Sequence, residues 1–161
     1  MAKKRQAREV KGRTVATNRR ARFDYEIIQR YDAGLALLGS EVKSIRESSV
    51  TLGEGYARFK DGELWLYNVY IAPYGPARDN HEPTRPRKLL LRRRELDRLS
   101  QALDEQPRTT VVPLRMYLHN GLVKLEIGLV RGKRQYDKRQ DIAKRDAQRQ
   151  VDRALSERRR Q

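Results

Sequence analysis

Val112-Pro113-Leu114-Arg115-Met116-Tyr117-Leu118-His119-Asn120-Gly121-Leu122-Val123-Lys124-Leu125-Glu126-Ile127-Gly128-Leu129 is the stretch from which the fold can be read. Asn120-Gly121 suits the positive φ angles of a type I′ turn, whose twist matches that of the antiparallel strands it joins. Before the turn, Val112, Leu114, Met116 and Leu118 alternate with Pro113, Arg115 and Tyr117. After it, Val123, Leu125, Ile127 and Leu129 alternate with Lys124, Glu126 and Gly128. A period of two turns one face of each strand to a core and the other to water. Asp61-Gly62 predicts a second hairpin, from Tyr56-Ala57-Arg58-Phe59-Lys60 to Glu63-Leu64-Trp65-Leu66-Tyr67 and on to Ile71. Phe23 to Tyr31 and Leu35 to Leu38 read as two more strands across Asp32-Ala33-Gly34, which makes six.

Helices are fewer. Glu95 to Gln106 sets Leu96, Leu99 and Leu103 at helical spacing and stops at Pro107, and Ser40 to Glu47 is a shorter helix candidate. Pro73, Pro76, Pro83 and Pro86, with Gly75, Asp79 and Asn80, predict an irregular loop over 73–86. Six short strands with one substantial helix before the last hairpin suit a mainly β fold. The expected form is a small closed barrel of the oligonucleotide-binding type, since closure removes exposed strand edges.

The charge lies at the two ends. Of the net +16, residues 1–22 carry +8, residues 23–130 carry +1 and residues 131–161 carry +7. This predicts a basic N-terminal arm over 1–22, a barrel over 23–132 and a basic C-terminal tail over 133–161. Same-sign charge concentrated at both termini fits a polyanion, because each neutralised phosphate releases condensed counterions. The chain has no cysteine, so the core forms without disulfides. No run approaches the roughly 20 apolar residues that span a bilayer. A cytoplasmic protein with no membrane partner is expected, and a monomer, because no heptad or large apolar stripe is present.

Catalytic chemistry is sparse. There is no phosphate loop, no cysteine nucleophile and no cluster of metal ligands, so no enzyme, cofactor or metal is expected. A metal-dependent RNA-processing enzyme would have to draw on dispersed carboxylates such as Asp61, Glu63 and Asp79. His119 reads as a hairpin residue, and His81, in the Pro-rich loop, as a residue that could touch RNA. Among the aromatic residues, Trp65, Phe59 and Phe23 read as core. Tyr136, surrounded by Arg134, Gln135, Asp137 and Lys138, reads as able to stack on a base.

Several blocks together resemble the small protein B family, the bacterial tmRNA-binding proteins of trans-translation. They are Asn18-Arg19-Arg20-Ala21, Gly34 to Ser44, Asp61-Gly62-Glu63, Pro83 to Leu91 followed by Glu95-Leu96, and Val123 to Leu129 leading through Gly132-Lys133 to Asp137-Lys138-Arg139. Two positions depart from that pattern: Glu82 stands where Asp is usual, and Tyr136 where some members carry His. The resemblance implies a non-enzymatic adaptor that grips the tRNA-like domain of tmRNA and delivers it to stalled ribosomes, with elongation factor Tu as a further partner. It implies RNA contacts at Asn18, Arg19, Arg20, Glu41, Lys43, Ser44, Lys124, Arg131, Lys133 and Arg134. For Glu41 a carboxylate can accept hydrogen bonds from a base or ribose, or orient a neighbouring cation.

For the tail the resemblance implies ribosomal contacts at Tyr136, Asp137, Lys138, Arg139 and Ile142, with the following residues probing the empty mRNA channel. Lys133 to Gln161 lacks Gly and Pro and is permitted to be helical, but Ile142, Ala147, Val151 and Leu155 bury little. Disorder when free and helix when bound is the expectation. A generic RNA chaperone or ribosome-assembly factor is the alternative reading of the same charge pattern.

Overall fold

The computed structural model describes residues 12–159, so residues 1–11 of the expected arm over 1–22 lie outside the described residues. Both dipeptide turns form as their residue types require: φ is 49° at Asn120 and 75° at Gly121, and 52° at Asp61 and 76° at Gly62. The elements run β1 (Arg13–Thr17), α1 (Arg19–Asp24), β2 (Tyr25–Leu35), α2 (Gly39–Arg46), β3 (Val50–Thr51), β4 (Tyr56–Lys60), β5 (Glu63–Tyr67), β6 (Tyr70–Ile71), β7 (Arg87–Leu90), α3 (Arg93–Glu105), β8 (Thr109–His119), β9 (Leu122–Gly132) and α4 (Gln135–Arg159). Strands β8, β4, β5, β7, β2 and β9 form a ring that β9 closes by pairing back onto β8. The protein is therefore mainly β, a small closed barrel with four helices among the described residues. Strands β3 and β6 form a separate two-stranded ladder.

Four expectations about the fold need correction. Residues 13–24 are part of the folded body: β1 pairs with β8, Asn18 N–H donates to Leu114 O at 2.8 Å, and Val15 and Ala16 pack on the core. Next, Asp32-Ala33-Gly34 is no turn, because the three residues pair with Glu126, Leu125 and Lys124 in a ladder running along β9. The hydrogen bonds of that long ladder outweigh the local turn preference. Phe23, expected in a strand, ends α1 instead.

The fourth correction concerns which way β8 faces. Its register with β9 shifts between Pro113 and Arg115, a bulge that changes which side chains point inward. Val111 and Met116 join Leu125, Ile127 and Leu129 inside the barrel, whereas Val112 and Leu114 face outward. There they make a second, smaller core with Ala21 of α1 and Val130, flanked by Tyr25 and Ile27. Gly128 admits this contact, since a Cβ there would stand 2.9 Å from Leu114 Cδ1.

A buried ionic cluster joins the helical layer to the barrel. Glu41, at the third position of α2, and Arg87, opening β7, are 0% and 1% exposed. Arg87 Nε donates to Glu41 Oε1 at 2.8 Å, while its other nitrogens donate to Val69 O at 2.7 Å and Pro83 O at 3.0 Å. Arg85 forks both carboxylate oxygens at 2.9 and 2.8 Å, and Leu38 N–H caps the helix on Oε2 at 2.9 Å. Burial acts to raise the carboxyl pKa, but Arg85, the Leu38 amide and Arg87 outweigh it and hold it below the ordinary value.

Glu41→Gln should therefore lower stability at neutral pH by about 3–5 kcal/mol, because Arg87 is left buried without its counter-charge. The folded carboxyl pKa is depressed, so the pair's stabilisation is complete above the unfolded value of about 4.3 and lost as pH falls through the folded one. Urea unfolding from neutral to acidic pH should show the gap between wild type and Glu41→Gln shrinking on acidification.

Candidate nucleic-acid interface

Asn18 shapes the first basic group without belonging to its surface. It is 4% exposed and caps α1: its Oδ1 accepts from Ala21 N–H at 3.1 Å and its Nδ2 donates to Pro113 O at 2.8 Å. The cap leaves Arg19 and Arg20 exposed in the first turn. Arg20 pairs with Asp24 at 3.2 Å and with Glu54. Arg19 has no ion-pair partner among the described residues.

The root of α4 packs against this short helix. Lys133 N–H donates to Asp24 O at 3.0 Å, and Lys133 Nζ donates to Arg22 O at 3.0 Å and pairs with Asp141. The Lys133 ammonium holds the Asp141 carboxyl below its ordinary pKa. Lys138 pairs with Asp24 at 3.4 Å, and Lys138 and Arg145 lie 5.9 and 5.3 Å over the Phe23 ring. Arg19, Arg20, Lys133, Arg134 and Lys138 thus belong to one corner built from α1 and the start of α4. Phe23 and Asp24, which orient that corner, were not legible as such because their partners lie more than a hundred residues away in sequence.

The other expected contacts divide by burial. Glu41 and Ser44 are 0% and 1% exposed, so neither side chain presents itself to a partner. Glu41 orients Arg85 and Arg87, the second of the two roles its carboxylate could fill. Ser44 Oγ–H donates to Ala72 O at 2.6 Å and ties α2 to the loop after β6. Lys43, from the same helix, is exposed and sits 5.4 Å over the Tyr74 ring.

Lys124 is half-buried in β9, paired across the ladder with Tyr117. Tyr117, which the alternation turned toward water, is buried instead, and its hydroxyl donates to Asp32 Oδ1 at 3.0 Å. Burial, and then the Asp32 charge and hydrogen bond, push its pKa up to about 12. Arg131 is exposed and donates to Gln106 Oε1 at 3.3 Å. His81, expected at the RNA surface, is 6% exposed: one ring nitrogen meets Ser40 Oγ at 2.8 Å and the other Ile71 O at 2.9 Å. The carbonyl can only accept, so Nε2–H donates to it.

Along the tail, Tyr136, Asp137, Arg139 and Ile142 are exposed; Tyr136 is 67% accessible and its hydroxyl accepts from Gln140 at 3.0 Å. Among the described residues no three His, Asp or Glu side chains gather as a metal would require. No described helix is long and apolar enough to cross a membrane.

A closed barrel with a basic corner and a long basic helix defines an RNA-binding class of protein, one suited to reading phosphate and shape more than base sequence. The SmpB protein family matches residues 15–157. Similar curated proteins include the SsrA-binding protein of Roseiflexus sp. (strain RS-1), 58% identical over 91% of this chain and 93% of that one. The SsrA-binding protein of Thermobifida fusca (strain YX) is 51% identical over 99% of this chain and 100% of its own. A solved structure described as "tmRNA-SmpB: a journey to the center of the bacterial ribosome" is 46% identical, with a TM-score of 0.63, covering 79% of this chain and 93% of that chain. The chain belongs to the SmpB family.

Asn18→Ala should cost about 1–2 kcal/mol by removing the α1 cap, a loss read directly in thermal unfolding. Arg19→Ala/Arg20→Ala should leave the melting temperature nearly unchanged. It should weaken RNA binding and flatten the logarithmic salt dependence by about one unit per lost phosphate contact.

Proposed function

We infer that this chain is a tmRNA-binding adaptor of trans-translation: the barrel holds the tRNA-like domain of tmRNA and the tail engages the stalled ribosome. Family membership across residues 15–157 supports this reading. The observation that carries it is the α1–α4 corner, where the basic surface of the barrel meets the root of a 25-residue helix. At 1.5 Å per residue that helix reaches about 38 Å, far enough to act at a site remote from the barrel.

The division of labour follows from burial. Arg19, Arg20, Lys133 and Arg134 at the corner, with Lys43, Lys124 and Arg131 elsewhere on the barrel, meet RNA; Asn18, Glu41 and Ser44 hold those elements in place. Past its root α4 buries almost nothing, since Ile142, Val151 and Leu155 are 46%, 52% and 51% exposed. Its distal turns therefore gain their stability from a partner, and tail residues Tyr136, Asp137, Lys138 and Arg139 engage ribosomal RNA as the channel receives the helix. A channel occupied by mRNA excludes it, which confines delivery to stalled ribosomes. The adaptor acts as a cytoplasmic monomer, without enzymatic activity, and travels with elongation factor Tu on charged tmRNA.

A chain ending at Gly132 should retain much of its affinity for the tRNA-like fragment yet fail to support tagging in a reconstituted translation system. Equal tagging by truncated and full-length protein would overturn the tail mechanism. Displacement of the tRNA-like fragment by excess elongator tRNA, with a steep salt slope, would instead favour a generic RNA chaperone.

A further inference from the structure

Away from the α1–α4 corner, the outer face of the β4–β5 hairpin carries side chains that the barrel interior does not use. On β5, Leu64 and Leu66 are buried, while Trp65 and Tyr67, which alternate with them, are half-exposed on the outside. The expectation that Trp65 is a core residue is thus corrected, although Phe59 on β4 does pack against the core. Tyr56 of β4 stands directly across from Tyr67, and Arg58 across from Trp65, with Lys88 of β7 on the indole's other side.

The Tyr56 and Tyr67 rings stack with centroids 5.5 Å apart and planes 20° from parallel, and the Arg58 guanidinium lies 6.0 Å from the Tyr56 centroid. Arg58 and Lys60 are exposed, and neither has an acidic partner at ion-pair distance among the described residues. Two clefts flank Tyr56, one reaching toward Arg20 and the other toward Ser100 of α3.

Three aromatic rings beside exposed cations, one of them bordering both clefts, match the chemistry of an unpaired polynucleotide strand. Every base offers a π face to a ring, and the phosphates follow at intervals that flanking cations can meet. A duplex hides its base faces within the stack and offers this surface only phosphates. We propose that the outer face of β4–β5 is a second RNA-binding surface, one that takes an unpaired segment. A base stacks on the Tyr56–Tyr67 pair or on Trp65, and Arg58 and Lys60 hold the adjoining phosphates. This surface adjoins, through the cleft that reaches Arg20, the corner assigned to the tRNA-like domain, but it does not depend on that assignment.

Trp65 is the chain's one tryptophan, so its emission reports on this site. Titrating the full chain with a short oligouridylate should quench Trp65 saturably. Tyr56→Leu/Tyr67→Leu should weaken that binding about fivefold or more, the low end of what one stacked base contributes, while thermal melting shows the variant folded. If the double variant melts early, Arg58→Gln, at an exposed position, serves for the same comparison and should also weaken binding. Unchanged Trp65 emission at saturating oligouridylate, or equal affinity for wild type and a folded variant, would overturn the proposal. Failure of tmRNA to bind selectively would leave this readout intact.

Discussion

The pairing of Glu41 with Arg87 is the constraint on which the upper half of the barrel depends. Two opposite charges withdrawn from water are tolerated only when each remaining hydrogen-bonding position is filled. Here Arg85, the Leu38 amide and two backbone carbonyls fill them. The carbonyls belong to Val69, just before β6, and Pro83, in the Pro-rich loop, so one ion pair fixes α2, β7 and the loop between 73 and 86 together. His81 and Ser44 extend the same fastening through Ser40, Ile71 and Ala72. A loop with four prolines thereby gains a definite place without regular secondary structure.

The other organising device is apolar. The β8 bulge turns Val112 and Leu114 to the outside, and α1 sits on them through Ala21. Without that outer core a six-residue helix would be too short to persist. With it, α1 is a rigid shelf whose first turn shows cations to solvent and whose last turn, through Phe23 and Asp24, receives the tail. The placement of Arg19 and Arg20 and the direction in which the tail leaves are consequently set by a single small element.

What was legible in the sequence was local. Asn120-Gly121 and Asp61-Gly62 specify left-handed backbone by residue type, and α3 follows from leucine spacing and the proline that stops it. The family resemblance, carried by ordered blocks of residues, singled out buried and exposed positions alike. It did not separate those exposed to solvent, such as Arg19 and Lys43, from those buried in the scaffold, such as Asn18, Glu41 and Ser44. That separation depends on burial, which arises from distant contacts: Asn18 with Pro113, Glu41 with Arg87. Alternation failed along β8 for a related reason, since a bulge reverses the faces without leaving a mark in the hydrophobic pattern.

The ring is not equally sewn all round. Strand β9 is joined to β8 by ten paired positions and to β2 by nine, whereas β4 meets β8 at one, Ala57 with Val111, and β7 meets each neighbour at two. Amide protons in the β2–β9–β8 half should exchange with solvent only through global unfolding, while those along β4 and β7 exchange through local opening. The barrel is then a firm three-stranded spine with a looser flap, and the flap bears the aromatic face of the β4–β5 hairpin.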